Sequence, residues 1–447
     1  MKNNTVRDVV VEILLSIEKN QAYSNLLLNK MIEKNNLSGK DVALLTEIVY
    51  GTIQRRDAID YFLEPFLTKK KKIEQWVIVL LRMSVYQMVY LDRIPERAIL
   101  FEAVEIAKKR GHKGIASMVN GVLRSIQREG IPSFDQITDP IKRLALETSH
   151  PHWLVKRWSE QFGFEEAKKI CEVNLQPPEQ TARVNGSKIT VDDAIKMLEE
   201  EGIAASKGVI SQDAIKIIKG NVAHSKTFKQ GFITIQDESS MLVARSLGVE
   251  LGDQVLDSCA APGGKTTHIA ELLQNTGSVI SLDLHDHKIN LIKTQISRLG
   301  LENVTTRALD SRKASDVFEK ESFDKILVDA PCSGLGVIRR KPDIKYTKRY
   351  EDVKSLQATQ LSILQAVAPL LKKGGALVYS TCTIDQDENN HVVAEFLRLN
   401  KEFEINSKLD ELLPEKVRPL VKTGMLQILP HHFGTDGFFI ASLRKQV

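Results

Sequence analysis

From about Gln236 onward the chain alternates apolar strand candidates with helical stretches, and this alternation narrows the possible folds more than any other feature of its 447 residues. Strand candidates fall at 254–257, 278–284, 323–329 and 376–380. Helical periodicity fills the gaps at 266–273, 288–299 and 350–371. Such β and α units in turn predict a parallel sheet covered by helices on both faces. The tail departs from the pattern. Segments 425–430 and 437–444 read as adjacent strands with a Gly-containing turn, Gly434 to Gly437, between them.

The upstream sequence is of a different kind. Val6, Val10, Ile13, Leu14 and Ile17 follow the spacing of one buried helical face. Stretches 41–53, 73–91 and 98–110 repeat it, with Gly39, Gly51, Pro65, Pro95 and Gly111 as expected punctuation. An all-α domain is predicted over 1–132, closing at Gly130-Ile131-Pro132. Residues 133–235 read as a small α+β domain. Pro140, Pro151, Pro177 and Pro178 interrupt short helices, 181–185 and 209–218 are strand-like, and Thr190 is placed to cap a helix over 191–200 that Gly202 ends. The third domain spans 236–447. No internal repeat is present, and the one low-complexity tract is Lys69–Lys72.

Charge separates these regions. The net charge of +5 lies entirely within residues 1–150. A basic end domain on a neutral body predicts an acidic partner, nucleic acid first, against the plainer reading of a solvated surface. Four cysteines, Cys171, Cys259, Cys332 and Cys382, are too few for a disulfide scaffold and form no C-x-x-C pair, so neither structural zinc nor another metal is expected. The most apolar stretch, 76–91, is broken by Arg82 and too short to cross a bilayer. No membrane association is expected, and the compartment expected is the cytoplasm.

The first strand of the alternating region runs into Ser258-Cys259-Ala260-Ala261-Pro262-Gly263-Gly264-Lys265, after which a helix begins. Small residues there let backbone approach a ligand at a helix N-terminus. A phosphate-binding loop is excluded, because the required earlier glycine is Cys259. The dinucleotide pattern G-x-G-x-x-G is also missing. Asp283 ends the second strand, where an acid grips the ribose hydroxyls of an adenosine cofactor. Asp310 closes a further strand candidate, third in chain order between 278–284 and 323–329, within reach of an adenine amino group. Aspartates that merely cap the following helices are the plainer alternative. A cofactor with adenosine but no pyrophosphate fits, and S-adenosylmethionine is the expected one.

Cys332 follows the fourth strand and Cys382 the fifth, so both thiols are predicted to face the crevice beyond the strand ends. Cys171 reads as an inert buried thiol, and Cys259 as a small lining residue. FDKILVDAPCSG (323–334) resembles the signature of the RNA 5-methylcytosine methyltransferases, the Nol1/Nop2/Sun family. LDSCAAPGGKTTH (256–268), YSTCT (379–383) and GFFIASL (437–443) match that family's other motifs, and the helical domain resembles the NusB-like RNA-binding module. The layout is similar to the Sun/RsmB branch, which methylates a cytosine of small-subunit ribosomal RNA.

The resemblance implies a Rossmann-like methyltransferase domain, with Cys382 as nucleophile and Cys332 assisting product release. It implies Asp329 between cofactor and base, and a cofactor site over residues 259–265 with Asp283, Asp310 and Asp329. It also places Gln236–Met241 under the cofactor's methionine; an ordinary capped helix start is the alternative. Position in the sequence alone leaves the two cysteine roles interchangeable. Lys265 is expected either to lower the pKa of a catalytic thiol or to neutralise pocket carboxylates. The run Arg339–Asp343 is expected to hold RNA phosphate beside a flipped base, or to be a solvated basic loop. The alternatives in function are a transfer-RNA methyltransferase of the same chemistry, and a non-catalytic antitermination or assembly factor. A protein partner for the helical domain is not specified by the sequence.

Overall fold

The computed structural model describes residues 5–20, 24–67 and 73–447, and the lysine tract 69–72 lies outside them. Two compact units are present: Met1–Gln176 with Arg340–Thr347, and Pro177–Arg339 with Lys348–Val447.

The described part of the first unit is helical throughout. The predicted stripe holds in helix Val6–Asn20, where Val10, Ile13, Leu14 and Ile17 are buried. Helix Gln75–Tyr90 is apolar on most of its circumference and buries Val77, Leu80, Leu81, Met83 and Val85. Two expected punctuation marks prove to be inside helices. Gly51 lies within Lys40–Gln54, where a Cβ would fall 1.9 Å from the ring of Tyr86. That glycine makes room for an aromatic side chain. Pro65 lies near the end of Arg56–Leu67, where the backbone bond it forgoes is among the last of the helix. Helices Pro140–Glu147, His152–Phe162 and Phe164–Val173 continue this unit. The one-turn helix Ile344–Thr347 packs into it as well. Lys345 there is fully buried, and its Nζ donates to the Gln54 carbonyl at 2.8 Å. Burial pushes its pKa down to about 7 against the opposing pull of Asp57.

The second unit holds two sheets. The smaller is antiparallel, ordered β2-β3-β1-β4, from β1 (Gln180–Val184), β2 (Ala204–Lys207), β3 (Ala214–Lys219) and β4 (Ile233–Ile235). Helix Val191–Glu200 packs on one face, capped by Thr190 as predicted, with Asp193 N donating to Thr190 Oγ1 at 3.2 Å. The strand-like run 209–218 is strand only from Ala214. Before it, the backbone amides of Val209, Ile210 and Ser211 turn onto the buried carboxylate of Glu238.

The larger sheet contains β5 (Gln254–Asp257), β6 (Ser278–Asp283), β7 (Val304–Ala308), β8 (Phe323–Asp329) and β9 (Leu371–Thr381), all parallel. The antiparallel strand β13 (Phe438–Lys445) lies between β9 and β12 (Met425–Ile428). Further out, β11 (Val421–Lys422) pairs with β12, and β10 (Phe403–Ile405) pairs with β13. The sheet is thus mixed, with its antiparallel strands supplied by the tail. Alternation along β8 sends Ile326 and Val328 into one apolar layer and Leu327 into the other. In the β8–β9 register Asp329 lies opposite Ser380, which brings the residues following both strands to one end of the sheet.

Candidate active site

The glycine loop begins where β5 ends. Gly263 adopts a φ of 104°, open to glycine but strained for a residue with a Cβ, and a Cβ there would also press on Ile292 at 3.2 Å. Helix Gly264–Leu272 follows with no side chain capping its N-terminus. Asp257 is wholly buried. One carboxylate oxygen accepts from Thr266 Oγ1 at 2.6 Å, and the backbone of Cys259 lies against the same carboxylate. Burial, reinforced by the charge of Asp329, pushes its pKa up to about 7 despite the Thr266 bond.

Asp329 anchors the centre. Its Oδ2 lies 2.7 Å from Lys265 Nζ, and its Oδ1 accepts from Ser380 Oγ at 2.8 Å. Burial opposes the Lys265 charge, yet Asp329, with smaller help from Cys382 and Asp257, holds that ammonium above the usual lysine pKa. Lys265 thus pairs with a pocket carboxylate and also lies in the field of the Cys382 thiol. The Cys332 and Cys382 sulfurs are 3.4 Å apart. Contact with Cys382, then burial, raises the Cys332 pKa well above that of an ordinary thiol.

The remaining predicted residues vary in setting. Asp283 ends β6 almost buried, 3.3 Å from the amides of Ala261 and His285, with Lys288 Nζ at 3.7 Å. Asp310 stands beyond β7 and caps the turn Ser311–Asp316, while its carboxylate pairs with Arg312 at 2.6 Å. Its observed contacts are those of the capping alternative. Burial pushes up the pKa of both Cys259 and Cys171, that of Cys171 to about 12. In the Gln236–Met241 segment, Asp237 does cap a helix, and Gln236 turns its amide toward Arg183 and Ser240. The run Arg339–Asp343 is not a solvated loop. Arg339 is buried, donating to the Gly434 carbonyl at 2.5 Å, and Asp343 is buried too, which leaves Lys341 exposed.

Two charged groups had no signal in the sequence. Arg183, on β1 and fully buried, donates to both oxygens of Glu271 at 2.8 and 3.1 Å. It also donates to Thr267 Oγ1 at 3.1 Å, to the Gly264 carbonyl at 2.7 Å and to Gln236. The glycine loop is thereby moored to the smaller sheet. Glu388, six residues after Cys382, is buried against the turn that carries Cys332. No periodicity marks either residue, because each partner lies far away in the chain.

Family models match three stretches: the 16S rRNA methyltransferase RsmB/F model at residues 244–444, a RsmF/B-like ferredoxin-like domain at 150–223, and the NusB family at 4–128. The chain is 58% identical, over the whole length of both proteins, to a probable ribosomal RNA small subunit methyltransferase B of Bacillus subtilis (strain 168). It is 34% identical, over 92% of both chains, to the ribosomal RNA small subunit methyltransferase B of Yersinia pestis. Among solved structures, PH0851 matches with a TM-score of 0.82 at 26% identity, covering 100% of this chain and 99% of that one. NSun6 from Pyrococcus horikoshii matches with a TM-score of 0.59 at 25% identity, over 66% of this chain and 98% of that one.

Proposed function

Because the chain belongs to the RsmB/F family of small-subunit ribosomal RNA methyltransferases, we propose that it methylates C5 of one cytosine in 16S ribosomal RNA through a covalent bond between Cys382 and C6. The observation that carries this reading is the pair of sulfurs 3.4 Å apart beside the Lys265–Asp329 ion pair. Cytosine C5 is a weak nucleophile. Addition of a thiolate at C6 turns the C5=C6 bond into an enamine and makes C5 reactive. The ammonium of Lys265 stabilises negative charge at Cys382.

The open helix N-terminus, the buried carboxylate of Asp257 and the strand-end Asp283 fit a methionine-bearing adenosine. In this proposal residues 259–265 and Asp329 hold the methionine end of S-adenosylmethionine. Asp283 holds the ribose, and Asp310 takes the adenine amine in exchange for Arg312. The bound cofactor supplies the electrophilic methyl group that the activated C5 accepts. Asp329 orients the base from its N3 side. Cys332 then assists transfer of the C5 proton to water, the freed electron pair restores the C5=C6 bond, and the C6–sulfur bond breaks to return Cys382 as a thiolate. Residues 1–132 and 133–235 supply RNA affinity and target choice to the chemistry of 236–447.

Bisulfite sequencing of 16S ribosomal RNA from a strain lacking the protein tests the reading. One cytosine should lose its methyl mark and regain it on complementation. An unchanged ribosomal pattern together with a lost mark in transfer RNA would move the substrate to transfer RNA.

A further inference from the structure

The turn that carries Cys332 is held on one side by the carboxylate of Glu388 and on the other by the amide of Gln360. Glu388 is fully buried. Its Oε1 accepts from Ser333 N at 2.8 Å and from Gln360 Nε2 at 3.0 Å, and its Oε2 accepts from Ser333 Oγ at 2.5 Å. Gln360 Nε2 also donates to the Pro331 carbonyl at 2.9 Å. The residues immediately before and after Cys332 are thus fixed by one Glu388–Gln360 unit. The second thiol is tied to the same framework. Ser333 Oγ lies 2.9 Å from Thr383 Oγ1, and Gly336 N donates to the Cys382 carbonyl at 3.0 Å. A Cβ on Gly336 would fall 2.1 Å from the Gly437 carbonyl oxygen, so this approach tolerates no side chain.

Burying a carboxylate is costly unless donors converge on it. Ordinary packing of a turn does not need one. Here the donors come from the turn beside Cys332 and from the helix behind it, and the geometry set is that between two sulfurs. We propose that Glu388 is a positioning residue for Cys332, holding its thiol where it meets the base carried by Cys382. This rests on the reading that Cys332 assists release. A thiol displaced by about 1 Å should slow release about a hundredfold while the first thiol still adds.

The shape of the clamp distinguishes positioning from charge. In Glu388→Gln, the amide oxygen keeps Ser333 N and Gln360, and the amide NH2 donates to Ser333 Oγ, whose hydroxyl turns to Thr383. Every partner stays satisfied without the charge. In Glu388→Ala the clamp is lost.

The test incubates full-length wild type, Glu388→Gln, Glu388→Ala, Gln360→Leu and Cys332→Ala with 16S ribosomal RNA and S-adenosylmethionine. The RNA adduct is read on denaturing gels and turnover on excess RNA. Binding of S-adenosylhomocysteine shows that each variant is folded. Glu388→Ala should accumulate adduct as Cys332→Ala does and turn over about a hundredfold more slowly, with KM for S-adenosylmethionine within about twofold. Gln360→Leu should show the same defect more weakly, and it carries the test if Glu388→Ala fails to fold. Glu388→Gln should restore release. Adduct in Cys332→Ala but in neither Glu388→Ala nor Gln360→Leu overturns the positioning role alone. No adduct in Cys332→Ala overturns the release reading itself, and the role of Glu388 with it. Failure of Glu388→Gln equal to that of Glu388→Ala overturns positioning in favour of a need for charge.

Discussion

Cys332 and Cys382 stand 50 residues apart in sequence, yet their sulfurs meet at 3.4 Å because β8 and β9 are neighbours whose ends lie in register at Asp329 and Ser380. The proposed division of labour between the two sulfurs is testable by substitution. Cys382→Ala should abolish methyl transfer and form no RNA adduct, while binding S-adenosylhomocysteine normally. Cys332→Ala should trap RNA in an adduct that survives denaturing electrophoresis, and the double variant should behave like Cys382→Ala. The reverse pattern would exchange the two roles.

Arg183 and Glu271 offer a test of how the glycine loop is held. Replacing Arg183 alone by Met strands a buried carboxylate and should cost about 3–5 kcal/mol. Arg183→Met combined with Glu271→Leu removes both charges and should recover most of that stability. The loop would still lack its tie at the Gly264 carbonyl, so affinity for S-adenosylhomocysteine should stay about tenfold weaker. Calorimetry that found wild-type affinity in the double variant would reduce Arg183 to a structural ion pair.

The buried Lys345 predicts a pH-dependent stability. Its folded pKa of about 7 lies below the ordinary lysine value of 10.5. Between those two values the unfolded chain binds the proton more tightly, so this lysine's destabilising effect is complete below pH 7 and fades as pH rises toward 10.5. Lys345→Met should therefore melt several degrees above wild type at pH 7. The gap should narrow steadily toward pH 10. A gap that is constant or widens with pH would mean that Lys345 is not the titrating group.

Electrostatic capture of RNA by the helical domain is testable on its surface. Lys113 and Arg124 are both exposed on helix Lys113–Glu129. Changing both to Gln should weaken RNA binding and reduce the slope of log K against log salt by about 2. An unaltered slope would place the phosphate contacts elsewhere.

Much of the fold is legible in the sequence where local chemistry decides the outcome. Strands β5 and β8 begin and end where their apolar runs do, and helix Val191–Glu200 starts at its threonine cap. Gly51 misleads because what decides its place is the ring of Tyr86, which lies on another helix. The run 209–218 misleads because a side chain, Glu238, takes backbone amides that alternation would assign to a strand. Strand-end logic points to both cysteines, to Asp283 and to Asp310, but it does not foresee that the Asp310 carboxylate pairs with Arg312 two residues on. Buried charges such as Arg183, Glu388 and Lys345 leave no local trace, since nothing near them in the chain compensates their burial.

The placement of β13 bears on the order in which the molecule assembles. Until Phe439 pairs with Thr381 and Ala441 with Tyr379, the strand that leads to Cys382 is an unprotected sheet edge. The contacts that close this edge come from a segment far along the chain, and such long-range pairings form late. During refolding, helical signal should return well before methyl transfer does. A chain stalled in that interval would already hold its cofactor loop while Cys382 lay at the end of an open edge, so the two thiols would meet in a settled geometry only once the tail has docked.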